Sequence, residues 1–157
     1  MDLFWVKTLA KSKLKDGQWF LDNPDEVQKH NKRAISKKVS SIYQDLLMSV
    51  AAFNEHTQDD RQLNLCPMDK DADGLLQGFV ILAENIQLKV ERSGTKLMAI
   101  LEFTESFQLR RRVLHQFEAR LDALGGIRWC MDNKLFVTDD MIIKQLLHDI
   151  WSAVLEK

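Results

Sequence analysis

The sequence predicts an α+β fold: an antiparallel sheet of about five strands packed against helices, in the order α-βββ-α-ββ-α, with a long first helix. Three observations carry this expectation. The chain from Pro24 to about Glu55 places apolar residues at helical spacing. Residues 78–103 hold short strand-like runs separated by turn signals. Residues 127–155 read as a tight hairpin followed by a closing helix. A length of 157 residues with 45% hydrophobic content supports one core without division. The whole chain, 1–157, therefore reads as a single domain, with 1–22 as an N-terminal helical arm.

That arm is expected from Leu3, Val6, Ala10 and Leu14, which lie at helical spacing, with Lys7, Lys11 and Lys15 mostly on another face. A turn is expected at Asp16-Gly17. Asn23 then suits a cap, Pro24 the first helical position, and Asp25 and Glu26 the positive end of the helix dipole. The apolar row of the long helix is Ile35, Val39, Ile42, Leu46, Val50 and Phe53. Its first turns lack such a row and read KHNKR.

Residues 56–74 are polar, are broken by Pro67 and Gly74, and read as the longest loop. Strands are expected at Gly78–Ala83, Ile86–Arg92 and Lys96–Phe103. In the middle one Ile86, Leu88 and Val90 alternate with Gln87, Lys89 and Glu91, so one face is buried and one is wet. Glu84-Asn85 and Ser93-Gly94 read as the links of an antiparallel meander. The third strand is apolar on both faces from Leu97 to Leu101, which suits a central strand or an edge covered by a partner.

Thr104 to about Leu124 reads as a helix, with Phe107, Leu114, Phe117, Leu121 and Leu124 on one side and Gly125-Gly126 ending it. Asp132-Asn133 is expected to turn a hairpin between Ile127–Met131 and Leu135–Val137. Thr138 caps the last helix, whose expected buried stripe is Ile143, Leu147, Ile150, Trp151 and Val154. The order α-βββ-α-ββ-α is similar to the layout of the small dimeric type III secretion chaperones. The resemblance is one of topology, and it implies a fold class and nothing finer.

The formal net charge of −1 gives no global attraction to nucleic acid or anionic membrane. The balance is uneven, since residues 1–38 hold nine Lys/Arg against five Asp/Glu. Cys66 and Cys130 lack a CxxC or zinc-ligand spacing and read as two buried, reduced thiols. With no secretory leader and no run of 18 apolar residues, the expectation is a cytoplasmic protein without a membrane span.

Among chemical motifs, Asp69-Lys-Asp71-Ala-Asp73-Gly74 matches the first half of an EF-hand loop. Oxygens at alternate positions converge there on a hard cation. Asp69, Asp71 and Asp73 are the candidate metal ligands. Position 12, where a bidentate Glu should close the shell, is Val80, so an acidic turn before a strand is the preferred reading and no cofactor is expected. His115 and Glu118 lie three apart on the expected helix, yet no second ligand pair matches them. His148 reads as a charge near a helix end. No GxSxG, GxxxxGK[ST] or GxGxxG is present, so a non-enzyme is favoured.

Lys29, Lys32, Arg33, Lys37 and Lys38, together with Arg110, Arg111 and Arg112, are the candidate phosphate-binding residues if the fold brings them into one stripe. Leu97, Met98, Ile100, Ile35, Val39 and Ile42 are the candidate dimer or partner surface. The resulting expectation is a small interaction protein, dimeric, binding another protein or itself through sheet and helix faces. The alternatives are a nucleic-acid-binding accessory protein, which is not favoured, and a small-ligand protein with a pocket near Trp129, Phe103 and Met98.

Overall fold

In a computed structural model, residues 13–15, 18–20, 24–68, 70, 74–121 and 126–156 are described, with side chains from residue 31 onward except Leu121. Strands β1 (Lys13–Lys15) and β2 (Gln18–Phe20) pair as a two-stranded ribbon. The end of the expected N-terminal helix is thus extended, and residues 1–12 lie outside the described residues. Helix α1 spans Pro24–Glu55. Its row Ile35, Val39, Ile42, Leu46 and Val50 is buried, as the spacing predicts. Phe53 closes the row edge-on against Trp151, with ring centroids 4.9 Å apart.

Seven strands follow: β3 (Asn64–Pro67), β4 (Gly78–Ala83), β5 (Ile86–Ser93), β6 (Lys96–Glu105), β7 (Gln108–Leu121), β8 (Ile127–Met131) and β9 (Leu135–Val137). Each pairs antiparallel with the next, giving one sheet in sequence order. Helix α2 (Asp139–Leu155) closes the chain. The α+β class stands, with seven strands in this sheet rather than about five. β3 adds one, drawn from the expected loop. Asn54 pins that segment by donating to the Leu63 carbonyl and accepting from its N–H, both at 2.8 Å. Cys66 lies exposed on β3, against expectation, and Cys130 is buried.

The second added strand is β7, and it corrects the expected middle helix. With β7 in that place, the order no longer matches the secretion-chaperone layout. The physical reason lies in a bulge. Ala99 pairs with His115 and Ile100 with Val113, so Leu114 is an extra residue. The bulge turns Leu114 toward the core beside Phe117, and the apolar positions 114, 117 and 121 then fall at spacings that mimic a helix. Helix-forming Gln, Leu and Arg residues strengthen the mimicry, but sheet pairing on β6 overrides local propensity.

Both helices pack on the sheet face that carries Phe79, Ile81, Leu88, Val90, Leu97, Ala99, Phe117 and Trp129. Arg92 fastens α1 at one end of the sheet. Its guanidinium donates to the Ser36 hydroxyl and, at 3.0 Å, to the Lys32 carbonyl. Asp139 fastens the start of α2, accepting from the Trp129 indole at 2.9 Å and pairing with Lys38 at 3.3 Å. Thr138 caps α2 by accepting from the Met141 N–H. Ile143 and Ile150 of its expected stripe are buried, joined by Ile142 and Leu146. Leu147, Trp151 and Val154 are half-buried.

Candidate protein-interaction edge

Strand β7 is 14 residues long, but its two neighbours cover it unequally. β6 pairs with it from Gln108 to Glu118. β8 pairs with it only from Phe117 to Leu121. One further backbone hydrogen bond joins the Asp132 N–H to the Gln116 carbonyl at 2.8 Å, and the Gln116 N–H donates to the Asp132 carboxylate at 2.9 Å. The stretch 108–114 therefore has a neighbour on one side alone among the described residues. Alternate residues of an antiparallel strand point their N–H and C=O to opposite sides. Half of the backbone groups in this stretch consequently face outward from the sheet edge.

Three apolar side chains around that edge are exposed. Phe107 stands fully in solvent at the tip of the β6–β7 hairpin, Leu109 is 68% exposed and Val113 49%. The hairpin link is Ser106-Phe107, and both residues have positive φ (50° and 65°). This is the conformation of a two-residue primed turn, which ordinarily recruits Asn or Gly. A bulky residue held there is an outlier that costs on the order of 1–3 kcal/mol.

Charge is distributed by register. Arg110 and Arg112 lie opposite Phe103 and Leu101, whose side chains face the helices. Leu109, Arg111 and Val113 lie opposite Thr104, Glu102 and Ile100, on the outer face. Arg111 is neutralised there, 3.6 Å from Glu91 and 3.7 Å from Glu102, and Lys89 joins the same two carboxylates at 3.6 and 3.4 Å. Arg110 has one long contact, 3.9 Å to Glu105. Arg112 is exposed, with no carboxylate within 4 Å among the described residues.

The expected basic stripe is split. The Lys32 end of α1 lies over the Ser93–Lys96 hairpin, as its bond to Arg92 requires, whereas Arg110 sits at the far end of β6. From Leu97 to Phe103 this is roughly 20 Å along the strand. Lys32, Arg33 and Lys37 are exposed, Lys38 is engaged by Asp139, and Lys29 lies on α1. The candidate dimer residues Ile35, Val39, Ile42, Leu97 and Ile100 are buried within one chain, and Met98 is half-buried. Asp69, Asp71 and Asp73 lie outside the described residues.

Trp129 lines a cavity of about 570 Å³ beside Asp139, and Phe103 lines a different one of about 470 Å³ beside Ala153. Met98 belongs to the opposite face, so these three residues do not share a pocket. His115 and Glu118 point to opposite faces of β7 rather than to one metal. His115 instead bridges two carboxylates: Nδ1 is 2.9 Å from Asp132 and Nε2 is 3.2 Å from Asp149. Burial works against charge at Asp132. The His115 hydrogen bond, the Gln116 N–H and the positive charges of His115 and Lys134 outweigh that effect, holding the carboxyl below its ordinary range. The bridge ties β7, the β8–β9 turn and α2 together. Among the described residues no group of three or more His, Cys, Asp or Glu is placed to hold a metal.

Comparison with known proteins finds no matching family model, no matching curated relative and no matching solved structure. Among the described residues no helix is long and apolar enough to cross a membrane. The open edge of β7 does not follow from the residues alone. The signal that could have found it is the alternation of Phe117, Ala119 and Leu121 against Gln116, Glu118 and Arg120.

Proposed function

We propose that this chain is a non-enzymatic interaction protein that binds another protein at the open half of β7 and the adjoining hairpin tip. The observation that supports this reading is the coincidence of strand backbone that has no neighbour on one side among the described residues with three exposed apolar side chains, Phe107, Leu109 and Val113. An uncovered edge is a liability that proteins ordinarily blunt with charge, Pro or a covering element, and here Arg110, Arg111 and Arg112 supply charge while Phe107, Leu109 and Val113 leave apolar surface beside it. Keeping one is reasonable where a partner supplies the missing strand. The expected homodimer loses part of its motive, because Ile35, Val39, Ile42 and Leu97 of the side chains assigned to it lie in the core of one chain.

The reading is tested by affinity capture from a lysate of the source cells, comparing the native chain with the triple variant Phe107→Ser, Leu109→Ser, Val113→Ser. Circular dichroism first establishes equal folding. A protein retained by the native chain and lost by the variant supports the reading. Capture that is identical for the two contradicts it.

A further inference from the structure

We infer that the occupant of the free β7 edge is an extended acidic strand of another protein, with acidic and apolar side chains alternating over about seven residues. This rests on the protein-binding reading above and names the partner's chemistry. A strand added beside 108–114 completes the outward-facing hydrogen bonds and continues the pleat, so its side chains alternate between the same two faces. On the helix-side face it meets Arg110 and Arg112. Among the described residues Arg110 has only a 3.9 Å contact and Arg112 none, so this face asks for carboxylates. On the outer face it meets Leu109 and Val113, while Arg111 between them is already balanced by Glu91 and Glu102. That face asks for apolar residues.

Charge separates this occupant from the two competing ones. A second copy pairing antiparallel about Arg111 sets Arg111 against itself and Arg110 against Arg112. Like charges directly opposite destabilise a strand pair. A nucleic acid needs several cations on one face. Here the three arginines divide between two faces, one is neutralised, and the lysines of α1 lie at the other end of the sheet.

The test uses the full chain and a fluorescent synthetic peptide of alternating Glu and Val, read by anisotropy. Four controls accompany it: the same residues in block order, a Lys/Val alternation, the Glu/Val peptide N-methylated at alternate positions along one edge, and the same along the other. Saturable binding is expected for the alternating acidic peptide, with loss for the block and Lys peptides. Loss is also expected on N-methylation of the edge that pairs. The double variant Arg110→Glu, Arg112→Glu is expected to weaken binding about tenfold or more. Binding that tolerates both N-methylated peptides overturns strand addition. Binding unchanged in the arginine variant overturns the charge assignment.

Two further outcomes also overturn the inference. One is a single-stranded RNA oligonucleotide that binds through the same two arginines while the peptide does not. The other is light scattering that gives twice the chain mass, reverting to one on Val113→Pro. If every peptide fails while lysate capture still depends on Phe107, Leu109 and Val113, the occupant proposed here falls and the protein-binding reading stands.

Discussion

Gly78 sits where the backbone of β4 leaves no room for a side chain beside β5. Its φ is +151°, and a Cβ built there would lie 2.0 Å from the Val90 carbonyl oxygen. That atom belongs to a paired strand and cannot swing aside. Gly78→Ala is therefore expected to destabilise the fold by at least roughly 1–3 kcal/mol, the usual cost of overpacking, read as a lower denaturation midpoint. Asp132 makes a different prediction. Its carboxyl is held below the ordinary range by His115 and the Gln116 N–H, so the folded state binds the acid proton less readily than the unfolded chain does. Its contribution is present above the unfolded value near pH 4 and is lost as pH falls through the lower folded value. Asp132→Asn should flatten the acid limb of a melting-temperature profile below about pH 4 and leave its shape near neutrality unchanged. An acid limb identical to that of the native chain would contradict the assignment.

At the scale of elements, the β6–β7 hairpin contains two phenylalanines with opposite roles. Phe117 is fully buried beside Leu97, its partner on β6, whereas Phe107 is wholly exposed at the tip. Phe117→Ala should cost about 3–5 kcal/mol by opening a cavity in the core. Phe107→Ala should change stability by less than about 0.5 kcal/mol, as surface substitutions do, while impairing partner capture. Urea denaturation of the two variants separates them, and comparable losses would contradict the placement of β7. The same hairpin explains what was hard to read beforehand. β5, α1 and α2 announced themselves through clean periodicity and a Thr cap, and β4 and β6 through short apolar runs bounded by turn signals. β7 did not, because the extra residue Leu114 breaks its alternation and the Ser106-Phe107 turn carries no Gly or Asn. The Asp132-Asn133 turn was legible, although its link extends to Lys134, whose N–H donates to the Met131 carbonyl at 3.0 Å.

For the molecule as a whole, the α+β class and most of the core followed from hydrophobic pattern, since Ile35, Val39, Ile42, Leu88 and Val90 are buried where periodicity put them. The open edge of β7 did not follow, because it is a property of unequal strand lengths. It exists where β7 outruns β8, and nothing within residues 108–114 records how far a later strand extends. The central claim is that this half of β7 is an open edge awaiting a strand, and residue-resolved amide hydrogen exchange tests it most directly. In the free protein every second amide of 108–114 should exchange rapidly while Phe117–Leu121 stays protected, and the rapid set should slow when the alternating Glu/Val peptide is added. Uniform protection of 108–114 in the free protein, or a rapid set that is unchanged by saturating peptide, would contradict it.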